Sequence, residues 1–262
     1  MNRVKIWIVF LGLGSMSLGV SCQNASRQVT AEHANLPTGD NSMTSLDWAG
    51  TYVGELPCAD CPGIRSVLML SEDLTYRLNW IYEEKGDQVM AETGSFTWNA
   101  DGSGIQLNGD SKTQYQVGEG KLFQLDTEGN KMEGALAEHF VFHKKEIGLR
   151  DTPWKLVEVE GVKRSDYPTS GDPHIQFIDE RIIGTSGCNR LSGSFSRIDS
   201  NLLSLSAISS TRMACPEMQL ENLVQKVLSN VHSYSLNGDR LFLSNAEKKV
   251  ILEFEADFLI KD

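Results

Sequence analysis

Cys58-Ala-Asp-Cys61 brings two thiols and a carboxylate into one short loop. That spacing permits redox exchange, soft-metal binding or a structural bridge. A redox dithiol of the thioredoxin type needs its first cysteine at a helix N-terminus, where the dipole lowers the thiol pKa. Here Pro62-Gly63 and an alternating apolar stretch come next. That activation is missing, and the residues favour a disulfide that staples a turn. A tight ring can be strained and more reducible, so a regulatory bond stays open. Zinc would need a second ligand pair of this kind, which is absent. Cuprous copper prefers thiolate and thioether, and would take reduced Cys58 and Cys61 with Met69 or Met90.

The remaining candidates are weaker. His139 and His143 fall on one expected strand, about 13 to 14 Å apart by strand rise, too far for a single ion. Cys188 and Cys215 would close a longer loop, worth roughly 3 kcal/mol in the chain-entropy model. Asn189 and Arg190 beside them could hold an anion, but Gly187 and Gly193 mark tight backbone there, which favours a turn and a surface contact. No GxSxG elbow, HExxH helix, SxxK pair or phosphate-cradling glycine loop occurs. The expectation is a binding or sensing protein, not an enzyme.

The fifth cysteine belongs to a different chemistry. Arg3 and Lys5 precede an apolar run from Ile6 to Leu13, and small residues lead to Gly19-Val20-Ser21-Cys22. This is the layout of an export signal, too short for a membrane span. A cysteine at the cleavage point resembles a bacterial lipoprotein, with residues 1–21 removed and Cys22 acylated. Gly19 stands where the usual pattern has Leu, and Leu18 lies one place further back. By enterobacterial rules Gln23, in place of Asp, points to the outer membrane. Without Cys22 the cysteine count is even, which suits an oxidising compartment. The formal charge of −11 becomes two units more negative once Arg3 and Lys5 leave. No basic block offsets it, so nucleic acid is excluded as a partner, and membrane contact falls to the lipid anchor.

These groups must be carried by two small bodies. Residues 22–45 are polar and aperiodic and read as a flexible tether. Over 46–146, alternating stretches recur at 50–56, 65–70, 75–82, 93–98, 104–107, 113–117, 121–125 and 138–143, cut by turn signals such as Asn108-Gly109. Even spacing of this kind predicts a small antiparallel barrel. Over 149–262, strands are expected at 153–160, 174–178, 181–187, 190–196, 202–205, 233–237, 240–244 and 250–256. One amphipathic helix is expected at 216–231, from Leu220, Leu223, Val224, Val227 and Leu228. The fold class is mainly β: a barrel, then a β-rich α+β body with one helix.

Two motifs carry family resemblance. Trp48-Ala-Gly-Thr-Tyr-Val-Gly-Glu-Leu-Pro-Cys58-Ala-Asp-Cys61-Pro-Gly resembles the opening of the NlpE N-terminal domain family. Those proteins are outer-membrane lipoproteins with a lipocalin-like barrel, linked to envelope-stress signalling, surface sensing and copper resistance. Their OB-type C-terminal domain has no counterpart here. Gly184-Thr-Ser-Gly-Cys188-Asn-Arg190 and Thr211-Arg-Met-Ala-Cys215-Pro resemble the META domain of the HslJ type. That family is tied to stress settings and transfers a fold more readily than an activity. The resemblance implies a lipid-anchored envelope sensor or binding module with an unidentified envelope partner, and copper as its one implied ligand. A barrel carrying an apolar ligand and an inert spacer are the alternatives.

Overall fold

The computed structural model describes residues 39–260, apart from 87, 169, 170 and 199. The export signal, Cys22 and the tether up to residue 38 lie outside the described residues.

The first body is a closed, eight-stranded antiparallel barrel. Its first half comprises β1 (Gly50–Leu56), β2 (Ile64–Leu70), β3 (Thr75–Tyr82) and β4 (Met90–Trp98). The second half comprises β5 (Gly104–Leu107), β6 (Gln114–Gly118), β7 (Lys121–Gln124) and β8 (Val141–Lys145). Alternation decides which side chains enter the lumen. Tyr52, Leu68, Phe96, Leu107, Leu122 and Phe142 are all at most 1% exposed and fill it. Gly54 is required by this packing, since a Cβ there would lie 2.8 Å from the Phe142 ring. Closure pairs Thr51 with Lys145 and Val53 with His143.

Two expectations change here. The end of the tether is folded: Ser42–Ser45 form a helical turn, α1, capped by Asn41 and Thr44. Ser42 Oγ donates to Val117 O at 2.7 Å and Met43 N–H to Gly102 O at 3.0 Å, so this turn closes the barrel end opposite the cysteine loop. Trp48 packs edge-on against Phe96 and Trp98 beneath it. The last strand also starts later than expected. Ala137–Phe140 form a 3-10 turn, held by Ala137 N–H on Gly134 O, and β8 begins at Val141. His139 and His143 therefore do not share a strand.

The second body is one nine-stranded sheet wrapped on a single helix. Its strands are β9 (Trp154–Val159), β10 (Val162–Lys163), β11 (His174–Ile178), β12 (Arg181–Thr185), β13 (Arg190–Arg197) and β14 (Leu203–Ser210), then β15 (Ser233–Asn237), β16 (Arg240–Ser244) and β17 (Val250–Ala256). The order is β14-β13-β12-β11-β9-β17-β16-β15, with β10 paired to β9. The short strand β10 has too few residues to show alternation in sequence. Helix α2, Gln219–Leu228, is shorter at both ends than the apolar pattern and buries Leu220, Val224, Val227 and Leu228. Trp154, at 0% exposure, sits in the same core, its indole N–H donating to Leu149 O at 3.1 Å.

The two bodies share a contact along the outer wall of β2 and β3. The segment after β17, with Asp257, Phe258 and Leu259, lies against Val67, Met69, Arg77 and Asn79. Arg77 is ion-paired to Asp239 at 3.1 Å, and an Arg65 amino group reaches Ile260 O at 3.5 Å.

Candidate functional site

The loop 57–63 joins β1 to β2 at the barrel rim, and Cys58 is disulfide-bonded to Cys61 across it. A strand, not a helix, comes after it, because Ile64 to Leu70 pair residue by residue with β1. Among the described residues no helix begins at this loop, so its own element supplies no helix dipole to the sulfurs. Asp60 Oδ1 instead lies 3.6 Å from Cys58 Sγ. On reduction, that carboxylate would oppose thiolate formation. Asp60 is itself ion-paired to Lys85, whose hydrogen bond and charge hold its carboxyl below the usual carboxylate range. Glu83 N–H, in the same β3–β4 connection, donates to Gly63 O at 3.0 Å. The disulfide loop and the β3–β4 connection are therefore latched together.

That connection also reaches the second body. Tyr82, Glu84, Gly86 and Val89 line a groove of about 490 Å3 with Lys155, Asp172, His174, Asp257 and Leu259. Across the groove, Lys155 Nζ meets Asp172 at 3.0 Å and Asp257 at 3.7 Å. Arg164 meets Asp172 at 2.8 Å. Desolvation opposes ionisation of Asp172, but Lys155 and Arg164 outweigh it and hold the carboxyl low.

Among the described residues, Cys58, Asp60 and Cys61 form the one group of His, Cys, Asp or Glu with three ligand atoms close enough for a metal, all within 4.8 Å of one another. As a disulfide the sulfurs are poor ligands; reduced, they would offer two thiolates, which suit a soft cation, with a harder carboxylate beside them. Met69 is not part of it. It pairs with Thr51 near the other end of β2, about 16 Å from Ile64 by strand rise, beside Arg77. Met90 opens β4 opposite Trp80, on the rim side of the barrel. His139 and His143 border a separate surface depression with Glu55, Arg65 and Lys145.

Cys188 is bonded to Cys215 in the second body. The residue that organises this region is Asn189, which is 0% exposed and so is not the surface contact expected from its neighbours. Its Oδ1 accepts from Met213 N–H at 2.7 Å and from the Thr211 hydroxyl at 2.8 Å, and its amide donates to Met213 O at 3.3 Å. Glu221, buried in the first turn of α2, accepts the backbone N–H groups of Cys188 and Asn189. Asn189 thus clips the two motif blocks together, and Glu221 clips them to the helix. Gly184 is fixed by close approach, because a Cβ there would sit 2.0 Å from His174 O. Only an acid one turn into a predicted helix hinted at Glu221, and nothing local distinguished Asn189 from an ordinary turn residue.

A filled barrel with a disulfide-stapled rim, followed by a sheet clipped through Asn189 and wrapped on one helix, defines a two-domain β protein. Residues 52–135 match the NlpE N-terminal domain and residues 148–258 match the META domain, so the chain carries one of each, in that order. Lipoprotein NlpE of Escherichia coli (strain K12) is 30% identical over 108 residues, 40% of this chain and 45% of that relative. The chain thus spans just under half the length of the relative it matches. A crystal structure from Shewanella oneidensis, of a protein assigned as a lipoprotein, is 44% identical over 42% of this chain and 99% of that one, with a TM-score of 0.39. The crystal structure of the Cpx pathway activator NlpE from Escherichia coli is 18% identical, over 62% of this chain and 94% of that one, with a TM-score of 0.29.

Proposed function

We propose that this chain is a bacterial envelope lipoprotein, anchored at the outer membrane through Cys22, that acts as a stress-associated sensor or binding module. Its sensing element is the Cys58–Cys61 rim. The observation that carries this reading is the latch: Asp60 lies beside Cys58 and is ion-paired to Lys85, on the connection that lines the groove against the second sheet. Two electrons and two protons from an envelope dithiol would open the bridge to two thiols and oxidise the donor to a disulfide. The loop 57–63 then loses its covalent constraint, Asp60 is freed to leave Lys85, and the rim presents a different surface to an envelope partner. Reduced Cys58 and Cys61, with Asp60, are also the residues that would hold copper, and copper would supply a second way to reorganise the same loop. The match to an NlpE N-terminal domain and the relative named as a lipoprotein support this reading.

A carrier would need room for its ligand, and side chains fill the lumen. A rim that changes with redox state or metal load fits this barrel better. The test compares wild type with a Cys58→Ser, Cys61→Ser double variant for envelope-stress output under oxidant and copper challenge. Altered output in the variant is expected. Identical responses would reject the sensing role and leave a spacer.

A further inference from the structure

Outside the rim, the outer face of β11 to β14 encloses a depression of about 830 Å3, within the size range of small-ligand sites. Register aligns its side chains in two neighbouring rows. One row runs His174, Thr185, Arg190; the other runs Gln176, Ile183, Ser192, Ser209. A β-bulge between Ser192 and Ser194, with Ala207 at φ +51°, bends the outer strand of this face.

The chemistry of the lining is directional. It contains no Asp or Glu, in a chain whose formal charge is −11. Among the described residues Arg190 has no acidic partner, so its guanidinium can take a carboxylate or phosphate. His174 stands two strands away, about 10 Å by strand spacing. Its Nδ1 lies 3.0 Å from Asp172 O, and a carbonyl only accepts, so Nδ1 carries the proton. In the neutral ring Nε2 is then an acceptor, suited to a hydroxyl donor. Gln176 and the Ser192–Ser209 hydroxyl pair, 3.2 Å apart, add amide and hydroxyl groups in the second row. The hydroxyls of Thr185 and Thr211 are committed to Asn189, so they shape the site without being free to bind.

We propose that this face binds a hydroxylated anion of the sugar-acid or sugar-phosphate class, with its acid group on Arg190 and its hydroxyls on His174 Nε2, Gln176 and the serine pair. Calorimetric titration of the detergent-extracted full chain would use galacturonate, glucose 1-phosphate, glucose and inorganic phosphate as probes. Saturable binding of galacturonate or glucose 1-phosphate, with a Kd of about 1 mM or below, is expected, and which one binds separates carboxylate from phosphate. Arg190→Gln should weaken it at least about tenfold, and Gln176→Ala should weaken it without changing charge, both at unchanged melting temperature. Failure of both anionic sugars to bind would overturn the proposal. So would full affinity in Arg190→Gln, or inorganic phosphate binding as tightly as glucose 1-phosphate.

Discussion

Arg77, on the outer wall of the barrel, is ion-paired at 3.1 Å to Asp239, in the hairpin between β15 and β16 of the second sheet. The pair spans two bodies whose motifs read as separate units in sequence. Both side chains keep some solvent contact, at 43% and 25% exposure. A double-mutant cycle of Arg77→Ala and Asp239→Ala should therefore give a coupling of no more than about 1 kcal/mol, read by urea unfolding and falling with added salt. A larger, salt-insensitive coupling would mean that the pair is effectively buried.

Asn189→Ala should destabilise the second sheet far more than an exposed Asn would. Its side chain makes three hydrogen bonds to Thr211 and Met213 from a fully buried position. At about 1 kcal/mol each, the loss is about 2 to 3 kcal/mol. The midpoint of urea unfolding followed through Trp154 measures it, and an unchanged midpoint contradicts the clip.

Reduction should affect the two bodies unequally. Cys58–Cys61 spans a sequence separation of 3 and Cys188–Cys215 one of 27. Loop-closure entropy assigns about 2 kcal/mol to the first and about 3 to 3.5 kcal/mol to the second. Thermal unfolding of Cys→Ser variants of each pair should show the larger loss in the second sheet. The reverse ranking would mean that the rim staple holds the barrel together.

Alkali should weaken the barrel through its tyrosines. Burial, helped by the Asp47 charge, pushes the Tyr52 phenol up to about 12, and burial also raises Tyr76 and Tyr115, with Glu92 adding to both. The folded state holds these protons more tightly than the unfolded state, whose phenols titrate near 10. This contribution is complete below about pH 10 and is lost as pH rises towards 12. Tyr52→Phe should show a shallower fall in stability over that window, measured by urea unfolding at stepped pH. Parallel slopes for variant and wild type would refute the assignment.

Local chemistry made much of the chain legible. Period-two alternation between turn residues located the barrel strands, because a strand with one buried face must alternate. The apolar spacing from Leu220 to Leu228 located α2 for the equivalent helical reason. That Cys58-Ala-Asp-Cys61 leads into a strand and not a helix was readable from the alternating apolar residues after Pro62-Gly63. The helical turn at the end of the tether was not legible in the sequence, because a four-residue turn shows no apolar period and what α1 covers depends on Val117 and Gly102. Long-range pairing decided the rest. Whether β8 meets β1, whether Met69 lies near Cys58, and whether Asn189 is outside or fully buried all depend on residues distant in the chain. Alternation states which face of a strand is buried and leaves its partner unnamed. Partner and register are set by closing the barrel and wrapping the sheet on α2, so only the tertiary structure placed Asp60 against Lys85 and set His174 and Arg190 on one face.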